Sequence, residues 1–364
     1  MSNTDNKYKS RIDKLSQVLT PNQGLLLSTP TDIVYLTGFE HLVPEERESL
    51  LLITPDENVF FHASFSPYKS PQGINSSKGC SLSQITPVLK RLNQTKNLKE
   101  LLVDKSSLFV DEYEALSQLS FLKIAGFDRQ HIWRLRTIKD DQEMENLRQA
   151  AQITSQVMGF VLQSFEKGMT EIQLKEIIES ELKKTGSEKP AFPTIVAFGP
   201  NSALPHHQPT SAILKPEMPV LIDFGATVDG YHGDMTRTTW FGQKPSSQFL
   251  EIKQTVKAAY QAVIDSLNSD RPSTPILAKD LDQAARSVIT DAGYGGEFIH
   301  TTGHGLGLDL HENLSLSWKN NQPILPQMTI TVEPGIYLKG KFGFRYENMV
   351  EITETGAKEL TYDA

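Results

Sequence analysis

The chain has 364 residues, and 36 Lys and Arg against 44 Asp and Glu leave a formal net charge of −8. That length favours two domains with a sizeable core, and the acidic balance excludes a nucleic-acid binder built on a broad basic face. With 38% hydrophobic and 22% charged residues, the composition is that of a folded globular protein and excludes a disordered one.

In chain order, residues 1–19 carry charges throughout and lack the apolar centre of a signal peptide, and no later stretch approaches the roughly 18 apolar residues of a membrane helix. The single cysteine, Cys80, allows no internal disulfide and no thiolate zinc site. A soluble cytoplasmic protein without membrane contact is expected. SLLLIT at 49–54, NVFFHA at 58–63 and LLVD at 101–104 predict strands, while 85–94 and 111–119 predict helices. Between them, Pro, Gly, Ser and Asn crowd residues 66–79 and predict an exposed connection.

From Lys139 a long amphipathic helix is predicted on Met144, Leu147, Ala151, Met158, Leu162 and Phe165, ended by Gly168. A second spans 171–184 between a Thr170 cap and a Gly186 stop. Beyond Pro190 the pattern becomes strand-like and glycine-punctuated, interrupted by a helical pair at 246–269 and 275–292. The boundary is expected between Phe127 and Asp140, dividing an N-terminal α/β domain (1–133) from a C-terminal domain (134–364). There is no short-period repeat and no low-complexity tract.

Five segments of the second half bear chemistry. In VLIDFGATVDGYHGDMTRTT at 220–239, an apolar strand ends in Asp223, a turn rich in Gly225, Gly230 and Gly233 follows, and Asp234 opens the return strand. Taken alone, this reads as an ordinary hairpin with turn aspartates. HTTGHGLGLDLHE at 300–312 gathers His300, His304 and His311 among closely spaced glycines. It lacks the GxGxxG spacing of a phosphate loop, and Ser315 stands where an HExxH helix would need its second histidine.

MTITVEPGIY at 328–337 and GFRYENMVEIT at 343–353 read as strands. Period-two alternation places Thr329, Thr331 and Glu333 on one face of the former, and Arg345, Glu347 and Met349 on one face of the latter. A solvated Arg/Glu ladder is the ordinary meaning of the second pattern. FPTIVAFGPNSALPHHQPT at 192–210 runs a strand into a loop that displays His206 and His207. If the four carboxylates and His304 converge, each carboxylate pair at 4 Å costs roughly 4 kcal/mol at an effective dielectric of 20. A pair of divalent cations about 3.5 to 4 Å apart would offset that, as in two-metal hydrolytic sites. Oxygen and imidazole donors without thiolate suit Mn²⁺, with Co²⁺ and Zn²⁺ as competitors.

The ordered set DFG at 223–225, GD.TRT at 233–238, GHG.GLD.HE at 303–312, TVEPGIY at 331–337 and R.E at 345–347 resembles the pita-bread metallopeptidases, in their aminopeptidase P and prolidase branch. DIVYLTGF at 32–39 and RLRTIKDDQEMENLRQAA at 134–151 extend the resemblance along essentially the whole chain. It implies an α+β protein, with a C-terminal pita-bread catalytic domain and a smaller N-terminal α/β creatinase-like domain. It further implies that Asp223 binds one metal, that Asp234 and Glu347 bridge two, and that His304 and Glu333 complete the set. A water or hydroxide between the metals would attack the carbonyl before a proline nitrogen, with Glu333 handling its proton. His206 and His311 would contact substrate and the tetrahedral intermediate; His300 and Arg345 would serve the proline-side pocket and the surroundings of the metals.

Three features depart from that pattern. Asn348 follows the bridging glutamate where the family usually has Asp, Asn313 and Leu314 follow Glu312 where a proline is common, and His232 stands two residues before Asp234. His232 reads as a loop histidine. The resemblance implies a homodimeric Xaa-Pro aminopeptidase acting on short peptides with proline second. The alternatives are an Xaa-Pro dipeptidase (prolidase) and a binding module without turnover. The complete ligand set argues against the last and against a creatinase-type amidinohydrolase.

Overall fold

The computed structural model describes residues 3–40, 43, 46–64, 73–269 and 275–363. Contacts divide the chain into two compact units, Met1–Arg136 and Thr137–Ala364. In the first, strands β1 (Gln23–Leu27), β2 (Ser49–Ile53), β3 (Asn58–His62), β4 (Asn75–Lys78), β5 (Glu100–Val103) and β6 (Lys123–Gly126) form one sheet ordered β4-β3-β2-β1-β5-β6. Helices α1 (Asn3–Ser16), α2 (Pro30–Thr37), α3 (Leu82–Lys96), α4 (Val110–Ser117) and α5 (Gln130–Thr137) accompany it. Leu25, Leu26 and Leu27 are all buried, as are Leu50, Leu51, Leu52 and Ile53, because both faces of the sheet are covered. Leu26, Leu50, Leu52 and Phe61 pack on Ile85, Leu89 and Leu92 of α3.

Part of the connection expected at 66–79 is a strand. Residues 75–78 pair in parallel with β3, although NSSK has no strand propensity, because a polar edge strand is held by backbone pairing. Residues 66–72 of that expectation lie outside the described residues. The sequence pattern also passed over β1, whose short apolar run does not distinguish strand from helix, and β6, a four-residue strand exposed at both ends.

The second unit opens with α6 (Asp141–Leu162) and α7 (Glu171–Thr185). Asp140 caps α6 by accepting from Glu143 N at 2.9 Å. α6 stops at Leu162, before Gly168, which adopts φ +96° in the turn that follows. Thr170 caps α7 and Gly186 ends it at φ +105°.

Strands β7 (Ile195–Phe198), β8 (Met218–Phe224) and β11 (Met235–Phe241) form an antiparallel sheet, with the ribbon β9 (Thr227–Val228) and β10 (Tyr231–His232) between the last two. Helices α8 (Ser247–Asn268) and α9 (Ala278–Asp291) lead to β12 (Gly303–Gly305), β13 (Glu312–Leu316), β14 (Thr329–Val332), β15 (Gly335–Leu338), β16 (Phe342–Arg345), β17 (Asn348–Thr353) and β18 (Gly356–Glu359). Five of these make the sheet β13-β12-β14-β17-β18, while β15 and β16 pair separately. The strand expected at 343–353 is therefore two strands with different partners. The chain changes sheets at Tyr346 and Glu347.

The hairpin base depends on glycine. Gly233 N donates to Ala226 O at 2.7 Å, and a Cβ on Gly225 would lie 1.7 Å from Gly233 O. At the ribbon tip, Asp229 and Gly230 take φ +49° and +77°, as a tight two-residue turn requires. Gly225→Ala is expected to destabilise the protein by on the order of 3 kcal/mol through this overlap, seen as a lower denaturant midpoint with the slope unchanged. An unchanged midpoint would show that the hairpin base can open without cost.

Candidate functional site

The hairpin, the β12 strand, the end of β14 and the β16–β17 junction meet around one cavity of about 370 Å³. Asp223, Asp234, His304, Glu333 and Glu347 all line it, and so do His206, His300, His311 and Arg345. Asp223, next to last in β8, lies opposite Thr236, so the two hairpin carboxylates flank the base where the glycines bring the strands together. Glu333 follows β14, and its backbone N donates to Thr302 O at 2.8 Å, which fixes it beside β12. Phe192, Ile195, Leu310 and Leu314 supply an apolar wall.

Ligand atoms of Asp234, His304 and Glu347 lie within 4.8 Å of one another. His304 Nε2 stands 3.6 Å from Asp234 Oδ2 and 3.5 Å from Glu333 Oε1, while its Nδ1 lies 3.1 Å from Gly305 O. A proton on Nδ1 satisfies that carbonyl and turns the lone pair of Nε2 toward the carboxylates. Burial, followed by the neighbouring His311, depresses the His304 pKa to about 3, so the ring is neutral. His311 stands edge-on to it at 4.4 Å between centroids.

Four carboxylates here face one guanidinium. Arg345 donates to Asp223 Oδ2 at 2.6 Å, to Thr236 Oγ1 at 2.9 Å and to Tyr337 OH at 2.8 Å, and Tyr337 OH lies 2.9 Å from His300 Nε2. Asp223, Asp234 and Glu347 are only 7%, 4% and 2% exposed. Burial pushes all four carboxyls up, aided at Asp234 by Glu347 and Asp223, and at Glu347 by Glu333 and Asp223. Glu333 rises to about 7. Burial beside Arg345 lowers His300 to about 4.

These residues fit divalent cations. Asp223 Oδ1 is buried without a hydrogen-bond partner, and a neutral imidazole lone pair faces two carboxylates across gaps that lack a donor. Four carboxylates against Arg345 leave three negative charges, and the donor set is oxygen and imidazole alone. Two hydrogen bonds steady the arrangement: Thr236 Oγ1 donates to Glu347 Oε2 at 2.5 Å, and Thr331 Oγ1 to Glu333 Oε1 at 3.4 Å.

The adjacent histidines 206 and 207 diverge. His206 lines the cavity, whereas His207 is buried with Nε2 at 2.9 Å from Glu171 Oε2. His232 lies in β10, its backbone N donating to Gly307 O, and is absent from the cavity lining. Sequence reasoning missed Thr236, Tyr337 and Arg237. Arg237 donates to Glu347 O at 2.6 Å and to Asn348 Oδ1 at 2.8 Å, and it is also hydrogen-bonded to Asp363. Period-two alternation between Asp223 and Thr236 across the hairpin could have pointed to Thr236.

Comparison with known proteins assigns the architecture. The model of metallopeptidase family M24 matches residues 145–354, and that of the creatinase/prolidase N-terminal domain matches residues 11–138. An uncharacterized peptidase of Staphylococcus haemolyticus is 32% identical over 357 residues, covering 97% of this chain and 99% of its own. The chain belongs to metallopeptidase family M24. Among solved structures, the Xaa-Pro dipeptidase from Bacillus anthracis superposes with a TM-score of 0.88 at 28% identity, covering 98% of each chain. The X-Pro aminopeptidase from Thermotoga maritima gives 0.82 at 30% identity, over 96% of this chain and 97% of its own. The fold is thus a creatinase-type N-terminal domain followed by the pita-bread catalytic domain.

Cations bind ionised carboxylates, and these carboxyls hold protons above their ordinary range. Loading Mn²⁺ at pH 7 is therefore expected to release on the order of one proton per chain and to weaken as pH falls toward 6. Calorimetric titration in buffers of different ionisation enthalpy measures the release. A heat that does not depend on the buffer would show that the carboxylates are already ionised.

Proposed function

We propose that this M24 protein hydrolyses the bond between an N-terminal residue and a following proline, as an Xaa-Pro aminopeptidase acting on short peptides. The observation that carries the reading is the convergence of four carboxylates, three of them buried, and a neutral imidazole on one cavity, in a chain of this family. Asp223, Asp234, His304, Glu333 and Glu347 would hold two divalent cations, with Asp234 and Glu347 shared between them. The cations would supply Lewis acidity and neutralise charge that develops on the carbonyl oxygen.

The chain's own groups do the rest. Glu333, whose Oε1 lies 3.5 Å from His304 Nε2 at the cavity, takes and returns the proton of the attacking water. His206 and His311 donate hydrogen bonds to substrate carbonyls, and His300, held by Tyr337, shapes the pocket on the proline side. Arg345 holds Asp223 Oδ2 and leaves Oδ1 free to face a cation. Phe192, Ile195 and Leu314 exclude water from one wall. A cavity of about 370 Å³ admits short peptides and excludes folded chains.

Manganese is the metal we propose, on the hard oxygen donors. A cytoplasmic setting is supported by the lone Cys80, and among the described residues no helix is long and apolar enough to cross a membrane. A homodimer rests on the family resemblance and is read out by light scattering. The second reading is an Xaa-Pro dipeptidase, favoured by the similarity to the B. anthracis protein and to the prolidase from Pyrococcus horikoshii, whose TM-score is 0.87 at 28% identity.

With Mn²⁺ restored, a Xaa-Pro-Yaa tripeptide is expected to be cleaved at least as well as the Xaa-Pro dipeptide. A strong preference for the dipeptide would establish the second reading. Asp234→Ala and Glu347→Ala are each expected to lower kcat/KM by about 10³-fold or more, with loss of bound metal. Full activity in either variant would remove that residue from the shared position.

A further inference from the structure

Glu171 is the first residue of α7, is wholly buried, and is absent from the cavity lining. Its carboxylate nevertheless accepts five hydrogen bonds. Phe198 N and Asn201 Nδ2 reach Oε1, each at 2.8 Å. His207 Nε2 lies 2.9 Å from Oε2, which also accepts from Thr210 N at 2.9 Å and Thr210 Oγ1 at 2.7 Å. All five partners belong to residues 198–210, the segment that leaves β7 and carries Pro205 and His206 over the cavity.

Helix capping does not account for this carboxylate, since Thr170 already caps α7 and its own N is met by Gln173 Oε1 at 2.8 Å. Burial alone would raise the Glu171 carboxyl, but the bonds from Asn201, His207, Phe198 and Thr210 outweigh it and hold the group ionised below its usual range. A buried charge with five donors drawn from one segment makes a rigid clamp. The segment is pinned from the other side too. Gly343 N donates to Ser202 Oγ at 2.9 Å, Arg345 Nη1 reaches Pro205 O at 3.4 Å, and a Cβ on Gly343 would lie 2.1 Å from Ser202 O.

We propose that Glu171 is a positioning residue that locks residues 198–210, so that His206 faces the cavity while His207 is turned into the protein as part of the lock. Its bearing on catalysis rests on the proposed function, which places His206 on the substrate. The lock itself is independent of the reaction.

Glu171→Gln keeps the shape and sets an NH₂ group against donors. In the Mn²⁺-loaded protein, amide exchange across 198–210 is expected to quicken about tenfold, with bound metal per chain unchanged. The kcat/KM for a Xaa-Pro-Yaa tripeptide is expected to fall about tenfold. On a His206→Ala background the same change is expected to cost less than twofold, because the two act through one contact. Unchanged exchange overturns the proposal, as does an equal loss of kcat/KM on both backgrounds. If the wild-type protein cleaves no Xaa-Pro peptide, the proposed function fails and the exchange measurement alone decides the lock. Should Glu171→Gln fail to fold, His207→Ala is expected to quicken exchange in the same segment and His207→Gln, which retains a donor near the position of Nε2, to restore it; no difference between these two also overturns the lock.

Discussion

Four carboxyl groups gathered around one cavity, three of them buried, set the constraint on which the rest of the site depends. At 4 Å and an effective dielectric of 20, each ionised pair costs roughly 4 kcal/mol, and Arg345 is the one cation bonded to any of them in the described structure. The hairpin, the strand junction and the histidine loop each place one or two polar groups where isolation would be expensive. The close approach of backbone at Gly225 and Gly233, and the bond from Thr236 to Glu347, hold the hairpin and the strand junction together beside the cavity.

Behind Glu347, a second network supports that crowding. Arg237 spans Thr236 O, Glu347 O and Asn348 Oδ1, lies over the Tyr346 ring at 4.3 Å and is paired with Asp363. The amide at 348 does what a carboxylate could not. Its oxygen accepts from Arg237 and Thr361, while its nitrogen donates to Glu359 at 2.7 Å and to Tyr260 OH at 3.1 Å. The negative charge that an aspartate would bring beside Glu347 is carried instead by Glu359 and Asp363, farther along the chain. The departure at Asn348 thus moves a charge without leaving an unsatisfied group.

Much of this was readable in the sequence where the signal is local. Alternation put Arg345 and Glu347 toward one space, and both border the cavity even though the strand breaks between them, because the break occurs at the pocket itself. Thr170 and Gly186 marked the ends of α7 by capping chemistry. What stayed hidden depends on pairing at a distance. β4 is a strand only because β3 lies beside it, and Glu171 reads as an ordinary first-turn acid until residues 198–210 fold over it. The divergence of His206 and His207 is likewise invisible in a string of two identical letters.

Because the carboxylates come from separate elements, cations bound among them would tie those elements together. Asp223 and Asp234 bracket the β8–β11 hairpin, Glu333 follows β14, and Glu347 stands where the chain passes from β16 to β17. An ion shared between Asp234 and Glu347 would therefore join the three-stranded sheet to the five-stranded one, adding its binding energy to the packing between them. In the ion-free chain the same groups relieve their repulsion by holding protons, and that relief is lost as pH rises through their elevated pKa values. Proton and metal thus compete for one role, which is to let acidic side chains remain close enough to act together.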